Sequence, residues 1–436
     1  RLTALARGHG PAEPEPPAGP APPAPALLAT KLYMPRPRPN LVARPAAMAR
    51  LDAALGVPVT LVVAPAGFGK STLVAAWLAS LAERQDAPPL AAWLSLDADD
   101  NDLSTFVQYL VAALRGAGPA AGADTLRLLT SSPQPLPPQV LLAPLLNDAA
   151  AWERDVVLVL EDYHAIASEP VHGAVSLLIE RTLPRLHLVL VTRSEPPLPL
   201  ARLRARGQLL ELRHADLRFT PDETAAFLRD TMGLRLSDDD AAALAARTEG
   251  WAAGLQFAAL ALRDAPDPLR LVRSFTGANR YVLDYLVEEV LDRQPAHLRQ
   301  FLLRTSVLDR LSGELCDELL GLLLRPAAPG APAPRDSYSQ LMLDDLERQG
   351  LFLIPLDHER RWYRYHHLFA EVLRARLEQG ASAESLAELH RRAAGWYARQ
   401  GLLAEAIRHA IAAADWPAAA RLIEQHGAAA LTQGEH

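Results

Sequence analysis

A parallel α/β domain, followed by a mostly helical half that carries one small β-hairpin, is the architecture this sequence predicts. Three observations point to it. Between residues 59 and 212, short unbroken apolar runs alternate with helical patterns. From Thr220 onward almost every pattern is helical. Between Leu351 and Tyr365, two strand-like runs flank a polar turn.

The predicted strands are Val59–Val63, Ala91–Leu96, Val156–Leu160, Leu188–Thr192 and Leu209–Leu212. They lack polar alternation, as expected of parallel strands covered by helices on both faces. Helical patterns include Ala46–Leu55, Ser71–Ala82, Leu103–Leu114 and Val171–Arg181, and Pro133–Pro138 reads as a surface connection. Thr220 with Glu223 fits a capping box, and Pro221 suits a first helical position. Helices then follow at Pro221–Thr231, Asp238–Arg247, Gly254–Arg263, Tyr281–Arg293 and Ala296–Leu303. Pro326–Pro334 reads as a loop insertion. The helix Tyr338–Gln349 stops at Gly350, and Leu351–Leu356 and Arg361–Tyr365 flank the turn Asp357–Arg360, which together predict a winged helix. From Glu384 the chain is Ala-rich helix pairs. Trp396, Tyr397, Gly401, Ala406 and Ala410 fit a helical repeat of about 34 residues.

Composition narrows the function classes. The 44 basic and 51 acidic residues leave a net charge of −7, which gives no overall electrostatic case for nucleic-acid binding. Cys316 is the sole cysteine, so no intramolecular disulfide exists, which suits a reducing cytoplasm. No apolar run reaches the ~18–20 residues of a membrane helix, and no signal peptide is visible. Because the chain starts at Arg1, it is expected to be a fragment or a trimmed product. Prolines crowd residues 1–29, so a disordered tail is expected there.

The chemistry concentrates in Ala64-Pro65-Ala66-Gly67-Phe68-Gly69-Lys70-Ser71-Thr72, between a strand and a helix. It matches the Walker A pattern except that Ala64 stands at the first glycine. Ala66, Gly67, Phe68, Gly69, Lys70, Ser71 and Thr72 form the expected phosphate cradle, with amide groups and a helix N-terminus meeting negative charge. Lys70 is a point cation for the β- and γ-phosphates of ATP or ADP, and the Ser71 hydroxyl reaches Mg²⁺. The strand Val156–Leu160 ends in Glu161 and Asp162, a Walker B pattern in which one acid holds the metal shell and its neighbour polarises water. Which acid does which stays open. Arg193 directly follows the strand Leu188–Thr192 and is either a γ-phosphate sensor or a surface arginine. Asp97, Asp99, Asp100, Asn101 and Asp102 read as helix caps ahead of a metal site. His366, at the end of the wing, either touches a phosphate or is a buried structural histidine. Trp93, Trp251 and Trp396 read as packing anchors.

The sequence also resembles a family, the large ATP-binding LuxR-type transcriptional regulators of the maltose-activator kind, which are STAND-class P-loop NTPases. The resemblance runs from about residue 30 to the C-terminus. It rests on Thr30-Lys31-Leu32, Pro37–Val42, Arg44-Pro45, Ala64–Thr72 and Trp93–Asp97. It continues in Glu161–His164, Thr192-Arg193, Leu217–Thr220, Thr248–Trp251, Ala253–Gln256, Tyr281–Leu286, Arg304–Ser306 and Tyr365–Phe369. After the Pro/Ala-rich tail over 1–29, it implies a P-loop NTPase domain over 30–218 and a helical domain over 219–295. It further implies a winged helix over 296–380 and the start of a TPR-like superhelix over 381–436. Val42, Arg44 and His366 would join the cradle around the nucleotide. Slow hydrolysis, self-association with ATP, and an inducer or regulatory protein on the repeats are implied too. DNA would be reached only through a helix-turn-helix, and none is visible before His436. Glu161 stands where the family usually has Asp, and Ala252 where it has a proline beside the adenine. A constitutive P-loop ATPase and a protein-binding scaffold with a vestigial site remain the alternatives.

Overall fold

The computed structural model describes residues 27–36, 40–84, 87–118, 121–132, 134–181, 183–264, 272, 275–276, 279–321 and 337–433. The tail expected over 1–29 lies outside them except for residues 27–29, as does the insertion Pro326–Pro334.

The α/β half begins with α1 (Pro45–Asp52), β1 (Val59–Val63) and α2 (Lys70–Arg84), then β2 (Leu90–Ser95) and α3 (Leu103–Ala117). Next come α4 (Ala123–Ser131), α5 (Pro138–Ala150), β3 (Val156–Glu161), α6 (Glu169–Glu180) and β4 (Leu186–Thr192). It ends with α7 (Leu200–Ala205), β5 (Leu209–Arg213) and α8 (His214–Leu217). The five strands form one parallel sheet in the order β2-β3-β4-β1-β5. Alternate side chains divide the sheet's two faces, as the two-residue period of a strand requires. Val62, Val157, Val159, Val189 and Val191 pack with α2, whereas Leu61, Leu158, Leu160, Leu188 and Leu190 pack with α3, α5 and α6. Both faces are dry, which is why the strands read as unbroken apolar runs.

The helical half comprises α9 (Pro221–Ala226), α10 (Asp238–Thr248), α11 (Ala252–Asp264), α12 (Arg280–Leu286), α13 (Ala296–Thr305) and α14 (Gly313–Leu320). Then follow α15 (Tyr338–Arg348), β6 (Leu353–Pro355), β7 (Tyr363–Tyr365), α16 (His367–Gly380), α17 (Ala383–Arg399), α18 (Leu403–Ala412) and α19 (Trp416–Gln433). The capping box at α9 is formed: Glu223 N–H donates to Thr220 Oγ1 (3.2 Å) and Thr220 N–H to Glu223 Oε2 (3.0 Å). α9 and α12 each run into a π-turn, at Phe227–Thr231 and Val287–Leu291. The hairpin β6–β7 is antiparallel, with Leu353 opposite Tyr365. One apolar core runs from α2 through Trp251 to Tyr397, so the helical half packs directly on the α/β half. Among the described residues, no helix is long and apolar enough to cross a membrane.

Several helices differ from expectation, α7, α8, α14 and α16 among them. α4 was not predicted, and α5 begins on Pro138, the last residue of the expected connection. A proline at a helix's first position forgoes an N–H that would have had no partner anyway. The acidic run resolves as caps: the Asp97 carboxylate accepts from Asp99 N–H, and that of Asp102 from Thr105 N–H (2.8 Å). Asp100 is wholly buried and accepts from Lys31 Nζ at 2.9 Å.

Candidate nucleotide site

The site is built where β1 ends. Ala64 N–H donates to the Thr192 carbonyl (3.3 Å), which ties the loop's start to the end of β4. The loop then turns through Gly67 (φ 76°) and Gly69 (φ 74°) into α2. These left-handed conformations are why glycine stands at both positions. At Gly67 space also decides: a Cβ would lie 2.6 Å from Ala253 Cβ and 2.8 Å from Trp251 Nε1.

Donors from the α10–α11 junction hold the loop from behind. Trp251, wholly buried, donates its Nε1–H to the Ala66 carbonyl (3.0 Å). Ala253 N–H donates to the Gly67 carbonyl (3.0 Å). A trans peptide points its C=O and N–H in opposite directions. Engaging these two carbonyls therefore turns the amides of Gly67 and Phe68 to the other side of the loop, which is the orientation an anion needs. Sequence reading took Trp251 as a packing anchor. Its hydrogen bond to a residue 185 positions away has no local signal.

Lys70 is buried at 8% exposure and donates its Nζ to the carbonyls of Ala64 (2.8 Å) and Pro65 (2.9 Å). Burial, with the Arg193 charge, lowers its pKa to about 8, while Asp162 and Glu161 act in the opposite direction. Lys70, Arg193, Glu161 and Asp162 are thus electrostatically coupled in one place. Glu161 ends β3, and its Oε2 accepts from Ser95 Oγ (2.7 Å) and Trp93 Nε1 (3.0 Å). Asp162 takes a left-handed conformation (φ 54°), and its side chain is 48% exposed beside His164. Burial, then Arg193 and Lys70, lower the His164 pKa to about 4, so this imidazole is neutral near pH 7. Arg193 Nη2 lies 3.8 Å from Glu289 Oε2. Among the described residues, no group of three or more His, Cys, Asp or Glu side chains comes together in a way that would hold a metal alone. Ser71, at the start of α2, and the acids Glu161 and Asp162 offer oxygen atoms, and a metal ion held by them would need phosphate oxygens as well.

A cavity of about 570 Å³ opens beside the loop. Of the expected nucleotide-binding residues, Val42, Arg44, Gly67, Gly69 and Thr72 line it, joined by Phe219, Thr231, Ala252, Ala253 and Gln256. The Arg44 guanidinium donates to the carbonyls of Leu217 (3.0 Å) and Arg218 (2.9 Å) and stacks over Phe219, so it braces the wall. A second cavity of about 240 Å³, on the Pro65 side, is lined by Phe68, Arg193, Gly350, Phe352 and His366. His366 is 2% exposed, packed edge-on to Trp251 and Phe352, and neither ring nitrogen has a well-formed hydrogen bond. Burial lowers its pKa to about 4. A buried imidazole that lines a cavity and has only a weak backbone contact, at Thr248, is suited to meeting a polar ligand there. The donor set fits a nucleoside phosphate: glycine turns, oriented amides, a buried ammonium, and acids at the end of β3, with β4 between them and the loop's own strand.

Comparison with known proteins agrees with this fold. Residues 287–385 match the MalT winged helix domain. The serine/threonine-protein kinase PknK of Mycobacterium tuberculosis (strain ATCC 25618 / H37Rv) is 36% identical over 418 residues, covering 96% of this chain and 35% of that protein. The HTH-type transcriptional regulator MalT of Serratia proteamaculans (strain 568) is 36% identical over 405 residues, covering 92% of this chain and 42% of that protein. The chain therefore spans well under half the length of these curated relatives. A Walker-type ATPase of Pyrococcus abyssi superposes with a TM-score of 0.52 at 17% identity, covering 78% of this chain and 98% of that one. The α/β half thus has a P-loop ATPase fold, followed by helices and a winged helix.

Proposed function

We propose that this chain is the nucleotide-operated switch core of a regulator similar to MalT, a STAND-class, LuxR-type protein that binds ATP or ADP with Mg²⁺. The observation that carries the reading is the convergence of Val42, Arg44, Gly67, Gly69 and Thr72 on one cavity of about 570 Å³ at the loop. The bound nucleotide would supply a triphosphate whose terminal bond can be hydrolysed slowly to reset the switch. Ala66, Gly67, Phe68 and Gly69 provide the amide cradle, and Lys70 its charge. Ser71 with Glu161 or Asp162 completes the metal shell. Glu161 is already held by Ser95 and Trp93, which leaves the more exposed Asp162 the freer of the two acids to move toward a metal or a water. Arg193 serves as sensor of the terminal phosphate, and His366 approaches the phosphates from the winged helix.

In the full regulator, residues 30–218 are the NTPase domain, 219–295 a helical domain, 296–380 the winged helix and 381–436 the start of TPR-like repeats. The repeats would receive an inducer or regulatory protein, and the ATP-bound form would self-associate in the cytoplasm. DNA would be contacted through a helix-turn-helix outside these residues. A second reading is favoured by the PknK relative, matched over 96% of this chain: the same core governing a kinase instead of a DNA-binding module.

The test is ATP and ADP binding to the wild type and to Lys70→Ala. Loss of affinity in the variant supports the reading. Equal affinities, or no binding by the wild type, remove the loop from the account. Rapid steady-state hydrolysis without any inducer would instead identify a constitutive ATPase.

A further inference from the structure

The acidic turn between β2 and α3 contributes more than helix caps. Its last residue, Asn101, engages its whole side-chain amide with main chain. Nδ2 donates to the carbonyls of Ala98 (3.0 Å) and Ala165 (3.0 Å). Oδ1 accepts from the N–H groups of Ala167 (2.7 Å) and Ser168 (2.9 Å). Two donors and two lone pairs are all that a carboxamide has, so the group is saturated and admits one orientation. Three of the four partners lie 64 to 67 residues away, in the segment that follows β3. The turn that carries Asn101 is itself anchored: Lys31 Nζ lies 2.8 Å from Asp97 and 2.9 Å from the wholly buried Asp100.

The segment that Asn101 holds begins at Asp162, which takes φ 54° and ψ 37°. A side chain in that left-handed region is strained, and it persists only where the surroundings over-determine it. Upstream the sheet does so: the Glu161 carbonyl accepts from Leu96 N–H at 2.9 Å. Downstream, Ala165 N–H donates to the Asp162 carbonyl at 2.9 Å, and the carbonyl of Ala165 is the one that Asn101 holds. Asp162 is thus fixed between a strand end and a clamped turn, while its carboxylate stays about half exposed. A fixed backbone limits the rotamers, and so the arc that the carboxylate can sweep.

We propose that Asn101 is a positioning residue for Asp162, holding the turn that keeps this carboxylate in reach of Mg²⁺ or of the water at the terminal phosphate. This rests on the nucleotide-site reading above.

The experiment uses the whole chain and compares Asn101→Asp with Asp102→Ala. The first is nearly isosteric and still accepts from Ala167 and Ser168, but it replaces the donors to Ala98 and Ala165 by an acceptor. The second removes the α3 cap at Thr105, a loss of hydrogen bonds at the adjacent residue. Two quantities are read. One is the ratio of ATP dissociation constants in EDTA and in Mg²⁺. The other is the rate at which bound ATP is hydrolysed in a single turnover. A merely structural defect weakens ATP binding with and without metal alike. Asn101→Asp is expected to lower one of the two quantities by roughly tenfold, the lower end for losing a partner that orients such a group, and to leave metal-free ATP binding unchanged. Asp102→Ala should alter neither. Both quantities unchanged in a folded Asn101→Asp, or an equal change in Asp102→Ala, overturn the proposal. Loss of metal-free ATP binding in the folded variant also overturns it, since the residue would then shape the whole site. Should Asn101→Asp not fold, hydrogen exchange at the Ala167 and Ser168 amides of the wild type decides. Protection that differs between ATP in EDTA and ATP in Mg²⁺ supports a turn tied to the acid, and equal protection overturns it. Absence of ATP binding by the wild type would instead refute the nucleotide-site reading, so the two failures are distinct.

Discussion

In the proposed site, Lys70 should make nucleotide affinity depend on pH in a direction set by its surroundings. Its ammonium is 8% exposed and is held by two carbonyls, and burial with the Arg193 charge lowers its pKa to about 8. The protonated form is the one that meets phosphate, and it disappears as pH rises through about 8. With that pKa roughly nine-tenths of the free protein carries the charge at pH 7 and roughly one-tenth at pH 9. ATP affinity should therefore fall about tenfold between pH 7 and pH 9, or ~1.4 kcal/mol. The range above pH 7 is the informative one, because phosphate itself titrates near ~6. Lys70→Arg is the control: its guanidinium stays charged over the whole range, so weaker but pH-independent binding is expected. Calorimetric titration of both proteins with MgATP at constant ionic strength measures the slopes. A wild-type affinity that stays flat from pH 7 to 9.5, or a slope shared by Lys70→Arg, refutes the argument.

Three further outcomes follow from buried polar groups. Lys31→Ala leaves the wholly buried Asp100 carboxylate without its 2.9 Å partner and should destabilise the chain by ~3–5 kcal/mol in urea unfolding, with Asp100→Asn restoring part of the loss. Glu249 is 11% exposed; burial raises its pKa, but the paired bonds from Arg364, the His366 charge and the His367 amide outweigh this and lower it to about 2. Its folded pKa lies below the ordinary 4.5, so the stability it contributes through Arg364 and the His367 amide is complete above that pH and lost toward pH 2, and Glu249→Gln should flatten the acid limb of stability against pH. Trp251→Phe strands the Ala66 carbonyl and should cost ~1–3 kcal/mol, visible as a lower melting temperature; an unchanged melt would show the bond to be dispensable.

The sheet was legible because its physics is local. Strands dry on both faces, such as Val156–Leu160, must be unbroken apolar runs, and the sequence wrote them that way to within two residues. The capping box at Thr220 and the hairpin around Asp357 were equally local. α5 was obscured because proline is read as a breaker, yet Pro138 occupies a first helical position and Pro144 is accommodated inside. In the site, the glycines of the loop carried their own signal. The groups that hold the loop did not. Trp251, Ala253 and Gly350 lie far along the chain, and each has a bland local reading as anchor, helix residue or helix end. Their significance is a matter of tertiary distance alone.

That distribution of partners constrains how the loop can act. Four successive carbonyls, Ala64 to Gly67, all point at donors: two at Lys70, one at Trp251 and one at Ala253. Only Lys70 belongs to the loop's own helix. Buried carbonyls cannot be left without donors cheaply, so any displacement of α11 must also reorganise the peptides of Ala66 and Gly67 and swing the opposite amides with them. Conversely, an anion that fixes those amides fixes the carbonyls that Trp251 and Ala253 grip. If an anion draws the Lys70 ammonium away, Ala64 and Pro65 lose their donor at the point where Gly350 abuts the same strand ends. A charge arriving at one loop is thereby felt in two directions, at the α10–α11 junction through hydrogen bonds and at the winged helix through steric contact, without any long-range pathway between them.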